Sequence, residues 1–255
     1  MSVLLRRREG PVEILILNRP EQRNALNPEL LDELGAAFEQ AEQCPEVRVI
    51  VVSAMGDRAF CAGMDLKAFA EQPEARGFTT HPWIRAFFDG QLSKPVVAAI
   101  NGTALAGGFE LMLCCDLAVA TESARFGIPE VKFGLFAAGG GVLLPLRIPL
   151  AVALELGLTG ETIDAQRAYQ LGLVNRVVEP QHLLPTAIAL ARKIAENGPL
   201  ALATTKRLMW ACIRDGAQAT RASVQTAIDQ VFGSDDAREG AQAFSEKRTP
   251  SWKGR

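Results

Sequence analysis

Histidine is nearly absent from this 255-residue sequence: only His81 and His182 occur. Cysteine is scarce too, at Cys44, Cys61, Cys114, Cys115 and Cys212. The adjacent pair Cys114-Cys115 has no histidine near it in sequence, so ligand spacing for zinc is missing and no metal is expected. An odd cysteine count without a framework of spacings argues against disulfides and for free thiols in a reducing cytoplasm. No run of roughly 18 uncharged apolar residues is present, which excludes a membrane-spanning helix by length. The opening MSVLLRRREG is too short in its apolar part to be expected to act as a signal peptide. Basic residues form no long run and the net charge is −2, so neither nucleic acid nor a membrane surface is expected as partner. Internal repeats and low-complexity segments are also lacking.

What is present is ordinary for a globular protein: 48% hydrophobic and 22% charged residues, in a chain long enough to bury a large core. Two strand signals, at 3–9 and 12–18, flank a Gly10-Pro11 turn. Asn27-Pro28 reads as an N-cap and first helical residue, and Leu30, Leu31, Leu34, Ala37, Phe38 and Ala41 share one helical face. The β-branched run VRVIVVS (47–53) reads as a fully buried strand. AMGDRAFCAGMDL then reads as a loop, with a short helix from Asp65, and a loop followed by a helix is expected over 70–92.

Further on, strands are expected at 96–101, 117–120 and 173–179. Helices are expected at about 106–114, 139–147, 150–157 and from Asp164 to Gly172. Beyond residue 180 every signal is helical: 181–196, 200–214, 217–232 and 236–246. The pattern predicts a β/α core followed by a helical C-terminal region able to pack on a neighbouring subunit.

Within INGTALAGGFELMLCCDLAVA (100–120), Gly107 and Gly108 fall where a strand ends and a helix begins. The N–H groups of a first helical turn lack intrahelical partners and suit a polarised carbonyl. Glu110 lies three residues on and shares that face. Taken locally, Glu110 reads equally well as a buried carboxylate bonded to an arginine or to backbone amides. Glu130, after Gly-Ile-Pro, sits at a strand exit and reads on its own as a solvated loop residue. Cys61 has no base in a matching motif and reads as a small core residue.

The ordered series NRPEQRNAL, FCAGMDLK, INGTALAGGFELMLCCD, FGIPEVKFGL, GGGVLLPLRIP, ALELGLTGETIDAQRAYQLGLVNRVV and EGAQAFSEKR resembles the crotonase, or enoyl-CoA hydratase, superfamily. The resemblance covers nearly the whole chain. It implies an α/β fold with a crotonase-like β-β-α spiral core over 1–195. A helical C-terminal trimerisation region over 196–255 would follow. It also implies a backbone oxyanion hole at Met64 and Gly107, with Glu110 and Glu130 as the carboxyl pair of a hydratase at the family's spacing. Coenzyme A contacts are implied at Arg23, Ala25, Ala62, Asp65 and Lys67, with Phe244 and Lys247 reaching the coenzyme of a neighbouring subunit. The implied activity is hydration of a 2-enoyl-CoA, as in fatty-acid oxidation, by a homotrimer or homohexamer that needs no cofactor.

An isomerase, a dehydratase of a substituted acyl-CoA or a non-catalytic acyl-CoA-binding subunit are the competing readings. Phe69, Phe78, Trp83, Phe87 and Phe88 read equally as walls of an acyl pocket or as core. Two local departures stand out. Ala106 precedes Gly107-Gly108 where many hydratases carry a third glycine, and Met64 stands where many carry alanine.

Overall fold

A computed structural model describes residues 2–65 and 81–255. The first strands, β1 (Leu4–Glu9) and β2 (Val12–Leu17), form an antiparallel hairpin around Gly10, whose φ of 60° suits the turn. Helix α1 (Pro28–Gln43) starts where the sequence places it: the Asn27 side chain accepts a hydrogen bond from Leu30 N–H, and Pro28 occupies the first turn. Then come β3 (Val49–Ala54), β4 (Ala59–Cys61), α2 (Pro82–Phe88), β5 (Val96–Ile100), β6 (Thr103–Leu105) and α3 (Gly107–Leu113). They are followed by β7 (Leu117–Thr121), β8 (Arg125–Gly127), two 3-10 turns (Pro129–Phe133 and Gly141–Leu146), α4 (Leu150–Thr159), β9 (Ile163–Asp164), α5 (Ala165–Gln170) and β10 (Arg176–Val178). The last helices are α6 (Leu183–Ala195), α7 (Pro199–Asp215), α8 (Ala217–Phe232) and α9 (Asp235–Glu246).

Two sheets result. The larger runs β1-β2-β3-β5-β7-β10 and is parallel from β2 onward; the smaller runs β4-β6-β8-β9 and is parallel except at its last pair. The chain therefore makes a repeated circuit: one strand in the large sheet, one in the small sheet, then a helix. β5-β6-α3 is the clearest turn of this β-β-α spiral. Every residue of β3 and of β5 is buried, as parallel strands covered on both faces must be. One core fills the space between the two sheets and α1; a second lies on the other face of the large sheet, under Leu183, Ala187, Ile188 and Ala191 of α6.

Of the small sheet, only the strand before Glu130 is among the expected elements. β4 and β6 are three residues each, β4 inside the expected loop and β6 between the strand expected at 96–101 and the helix expected from about 106. Runs that short carry no measurable alternation. The expected helix over 139–147 is a 3-10 turn, with Pro145 inside it. The helix expected from Asp65 and the loop expected at 70–80 lie outside the described residues. Among the described residues, no helix is long and apolar enough to cross a membrane.

Candidate active site

The site forms where the two sheets part, at the ends of β4, β6 and β8. Gly108 explains why α3 approaches β4 so closely: a Cβ there would stand 2.1 Å from the Cys61 carbonyl oxygen. That contact brings the N–H groups of Met64 and Gly107 together. A Cβ built on Gly107 would lie 3.7 Å from Met64 N, and one on Gly63 would lie 3.2 Å from Gly107 N. Gly107 is the first residue of α3, so its N–H has no helical partner. Met64 forms a parallel bridge with Leu26, in which Leu26 N donates to Gly63 O and Asp65 N donates to Leu26 O. That pattern uses the groups on either side of Met64 and turns its N–H away from the bridge. Among the described residues neither N–H has an acceptor.

Glu110 lies one turn into α3 and is 2% exposed. Its Oε1 accepts a hydrogen bond of 2.8 Å from Gly141 N–H, and Gly139 N–H points at the same carboxyl. The bond from Gly141 N–H is of the backbone-amide kind expected for a buried carboxylate here. Burial nonetheless pushes its pKa above the usual carboxylate range; the two amides pull it down and the charge on Glu130 pushes it further up. Glu130 sits in the 3-10 turn after β8, with its pKa raised by burial. Its Oε2 is buried and has no hydrogen-bond partner among the described residues. The reading of Glu130 as a solvated loop residue does not hold. Its surroundings are apolar: with Ile128, Val131, Ala137, Val142 and Leu154 it walls a cleft of about 320 Å³. Gly141 borders the same cleft, so one glycine connects the two carboxyl groups.

The remaining predicted residues divide into three groups. Arg23, Ala25, Ala62 and Asp65 come together, because Ala62 N donates to Arg23 O and the Arg19 guanidinium bonds both Ala25 O and the Asp65 carboxylate. Lys67 lies outside the described residues, as do Phe69 and Phe78. Phe244 and Lys247 are exposed on and just after α9, Phe244 by 87%. Cys61 is fully buried with its thiol pushed up to about 12, the core residue it was read as. Phe87 stacks on Phe38 at 4.7 Å and is 1% exposed, which makes it core packing. Phe88 and Trp83 pack partly against the same core. The reading missed Asn24, a buried side chain that donates to Met55 O and Ala59 O. It also missed Arg19 and the Gly139 and Gly141 amides, whose roles depend on contacts distant in sequence. A larger cleft of about 640 Å³ opens between α7 and the core, beside Asp116, Arg147, Lys206 and Trp210; none of the predicted site residues lines it. Among the described residues no cluster of three or more His, Cys, Asp or Glu side chains could hold a metal ion.

Among the described residues, two N–H donors without acceptors and a buried and a half-buried carboxyl gather at the ends of β4, β6 and β8, an arrangement suited to proton transfer next to a polarised carbonyl. Comparison with known proteins agrees with that class. The family model for enoyl-CoA hydratase/isomerase matches residues 7–255. The carnitinyl-CoA dehydratase of Proteus mirabilis is 41% identical over 254 residues, covering 96% of each chain. That of Salmonella enteritidis is 40% identical over 256 residues, covering 97% of each. Among solved structures, the enoyl-CoA hydratase EchA1 of Mycobacterium marinum superposes with a TM-score of 0.90 at 43% identity over 100% of both chains. An enoyl-CoA hydratase of Bacillus anthracis superposes with a TM-score of 0.91 at 37% identity, covering 99% of this chain and 100% of that one. The chain belongs to the enoyl-CoA hydratase/isomerase family and has the crotonase fold.

Proposed function

We propose that the protein is an acyl-CoA hydro-lyase that adds water across the 2,3-double bond of a 2-enoyl-CoA to give a 3-hydroxyacyl-CoA, or runs the reverse dehydration. The observation that carries this is the pairing of Glu110 and Glu130 across Gly141, beside two N–H groups that have no acceptor among the described residues. An isomerase can move its proton with one carboxyl; water addition uses one group on the water and a second on carbon.

In the proposed reaction the thioester oxygen lies against Met64 N–H and Gly107 N–H. Water attacks C3 as a carboxylate takes its proton, electron density moves through the double bond onto the thioester oxygen, and a protonated carboxyl delivers a proton to C2. Glu110, held by two amides, orients and activates the water. Glu130, whose Oε2 has no partner among the described residues, supplies the C2 proton. Burial favours the protonated form of a carboxyl, which supports an acid in this role at neutral pH. The pair titrates as a unit. Two preorganised donors on the developing oxyanion account for several kcal/mol of barrier, since losing one such donor costs about 10²–10³ in rate.

The coenzyme is proposed to lie along the loops holding Arg23, Ala25, Ala62, Asp65 and Lys67. Asp65 is ion-paired with Arg19 at 3.0 Å, which supports a structural role for it there. The chain is proposed to assemble as a homotrimer or a pair of trimers through its C-terminal region, residues 196–255. Support comes from exposed apolar side chains of that region, among them Met209, Ile213, Val224, Ile228 and Phe232, and from the exposure of Phe244 and Lys247.

The test follows the loss of conjugated-thioester absorbance with crotonyl-CoA, longer enoyl-CoAs and the dehydration product of carnitinyl-CoA. The last substrate is included because of the dehydratase relatives. Water addition to at least one is the expected result; no loss with any of them would refute the reading.

A further inference from the structure

Arg19 and Asn24 are assigned no role by the reaction above, yet both are nearly enclosed. The Arg19 side chain is 14% exposed, that of its partner Asp65 is 16% exposed, and Asn24 is 1% exposed. Charges are removed from water at a cost, and a pair this enclosed is maintained against that cost. Its surroundings show what it holds.

The Arg19 guanidinium donates to Asp65 Oδ2 at 3.0 Å and to Ala25 O. Arg19 N–H donates to Asn24 Oδ1, and Asn24 N–H returns to Arg19 O. The Asn24 amide then reaches Met55 O and Ala59 O, at the two ends of the loop that leads into β4. Between these anchors lie three main-chain bonds that join 23–26 to 62–65: Ala62 N to Arg23 O, Leu26 N to Gly63 O and Asp65 N to Leu26 O. Met64 is the one residue of 62–65 whose N–H and C=O make none of these bonds, and Asp65 follows it directly. Arg23 and Asn24 both have positive φ, 51° and 54°, so the strip that grips Met64 is itself held in an unfavourable conformation.

We propose that the Arg19–Asp65 ion pair, braced by Asn24, is a positioning device for the oxyanion hole: it aims Met64 N–H at the carbonyl without touching substrate. The inference rests on the assignment of that N–H made above. Charge-assisted bonds suit this task, being short and stiff. A donor displaced by about 1 Å can lose up to about 10²-fold in rate.

The test compares Arg19→Met, Arg19→Lys, Asp65→Asn and the double variant Arg19→Met/Asp65→Asn on whichever enoyl-CoA gives turnover. A second readout is the infrared carbonyl band of bound ¹³C-labelled thioester, which falls in frequency as the carbonyl is polarised. The expected result is a kcat loss of about 10- to 100-fold for Arg19→Met and for Asp65→Asn. KM is expected to stay within about threefold, and the band to return toward that of free thioester. The double variant should be no worse than either single one, and Arg19→Lys should recover part of the loss. If Arg19→Met does not fold, Asp65→Asn and Arg19→Lys carry the same comparison. A folded variant that keeps kcat within twofold, or keeps the wild-type band, overturns the positioning role. A wild-type band at the free-thioester value instead refutes the oxyanion assignment, and the positioning role with it.

Discussion

Replacing Ala106 by glycine should make the protein more stable, although the change adds a flexible residue. Ala106 has φ 48° and ψ −130°, a region that glycine occupies readily and a side chain does not. The neighbours impose it: Ala106 N donates to Gly127 O in β8 and Ala106 O receives Glu110 N, so the residue turns from strand to helix with both ends bonded. Strain of this kind costs about 1–3 kcal/mol. Glycine loses about 0.4–1 kcal/mol through the greater freedom of the unfolded chain. The difference favours Ala106→Gly by about 1 kcal/mol, or about 2–4 °C in Tm for a chain of this size. Differential scanning calorimetry at matched protein concentration measures it, concentration being held fixed because assembly shifts Tm. A second variant sharpens the test. A Cβ on Gly63 would meet the Ala106 Cβ at 2.7 Å, so Gly63→Ala should be less damaging when residue 106 is glycine. A lower Tm for Ala106→Gly, or strict additivity with Gly63→Ala, would show that Ala106 is not strained and that the argument from its backbone angles is wrong.

Other outcomes follow from the same geometry. Glu110→Gln and Glu130→Gln should each lower kcat by about 10²–10⁴-fold while acyl-CoA still binds, as titration calorimetry would show; near-normal turnover in both would remove them from the reaction. Glu130→Gln should also raise Tm at pH 7–8. The Glu130 pKa is raised above its ordinary 4.5, so the native state binds the proton more tightly than the unfolded chain, and stability is lost as pH rises from 4.5 through the raised native value. The gain should therefore vanish at pH 3.5, where both states are protonated, and a Tm gain independent of pH would contradict the burial argument. Gly108→Ala should cost at least about 1–3 kcal/mol by overpacking and depress turnover with it, because its Cβ would overlap the Cys61 carbonyl. A soluble, fully active Gly108→Ala protein would be incompatible with the contact between α3 and β4.

The helices and the long strands were legible in the sequence for reasons that are local. Asn27-Pro28 carries its own N-cap, Asp164 caps α5 by accepting from Arg167 N, and β3 opens on four β-branched residues, Val49 to Val52. β4, β6 and β9 were not legible, because a strand of two or three residues is defined by its partners and not by its own pattern. The site was legible only in part for the same reason. Gly107 and Glu110 lie on one short helix, so their common face could be read from spacing. Glu130 looked like a surface residue because nothing local shows that the chain folds Ile128, Ala137 and Leu154 around it. Arg19 stands 46 positions from Asp65, and no local signal connects them.

The two glutamates are buried alike in cause and held unlike in detail, and that difference bears on their division of labour. Glu110 is gripped: the Gly141 amide donates to Oε1 at 2.8 Å, and a Cβ on Gly139 would stand 2.8 Å from Oε2. Amides that donate to a carboxylate favour its charged form and oppose the effect of burial. Glu130 has no donor on Oε2 among the described residues; its own backbone N–H pulls its pKa down, but burial in its apolar cleft outweighs that. A base must stay ionised and keep one direction toward water; an acid must keep its proton until carbon becomes negative. In the proposed reaction the gripped carboxyl suits the first task and the ungripped one the second. Among the described residues the 137–141 turn donates to Glu110 and merely borders Glu130, so lengthening that turn by one residue should damage water activation first. Turnover would fall while exchange of the C2 proton of a saturated acyl-CoA with deuterium survived. Parallel loss of both would mean that the two carboxyls act as one unit.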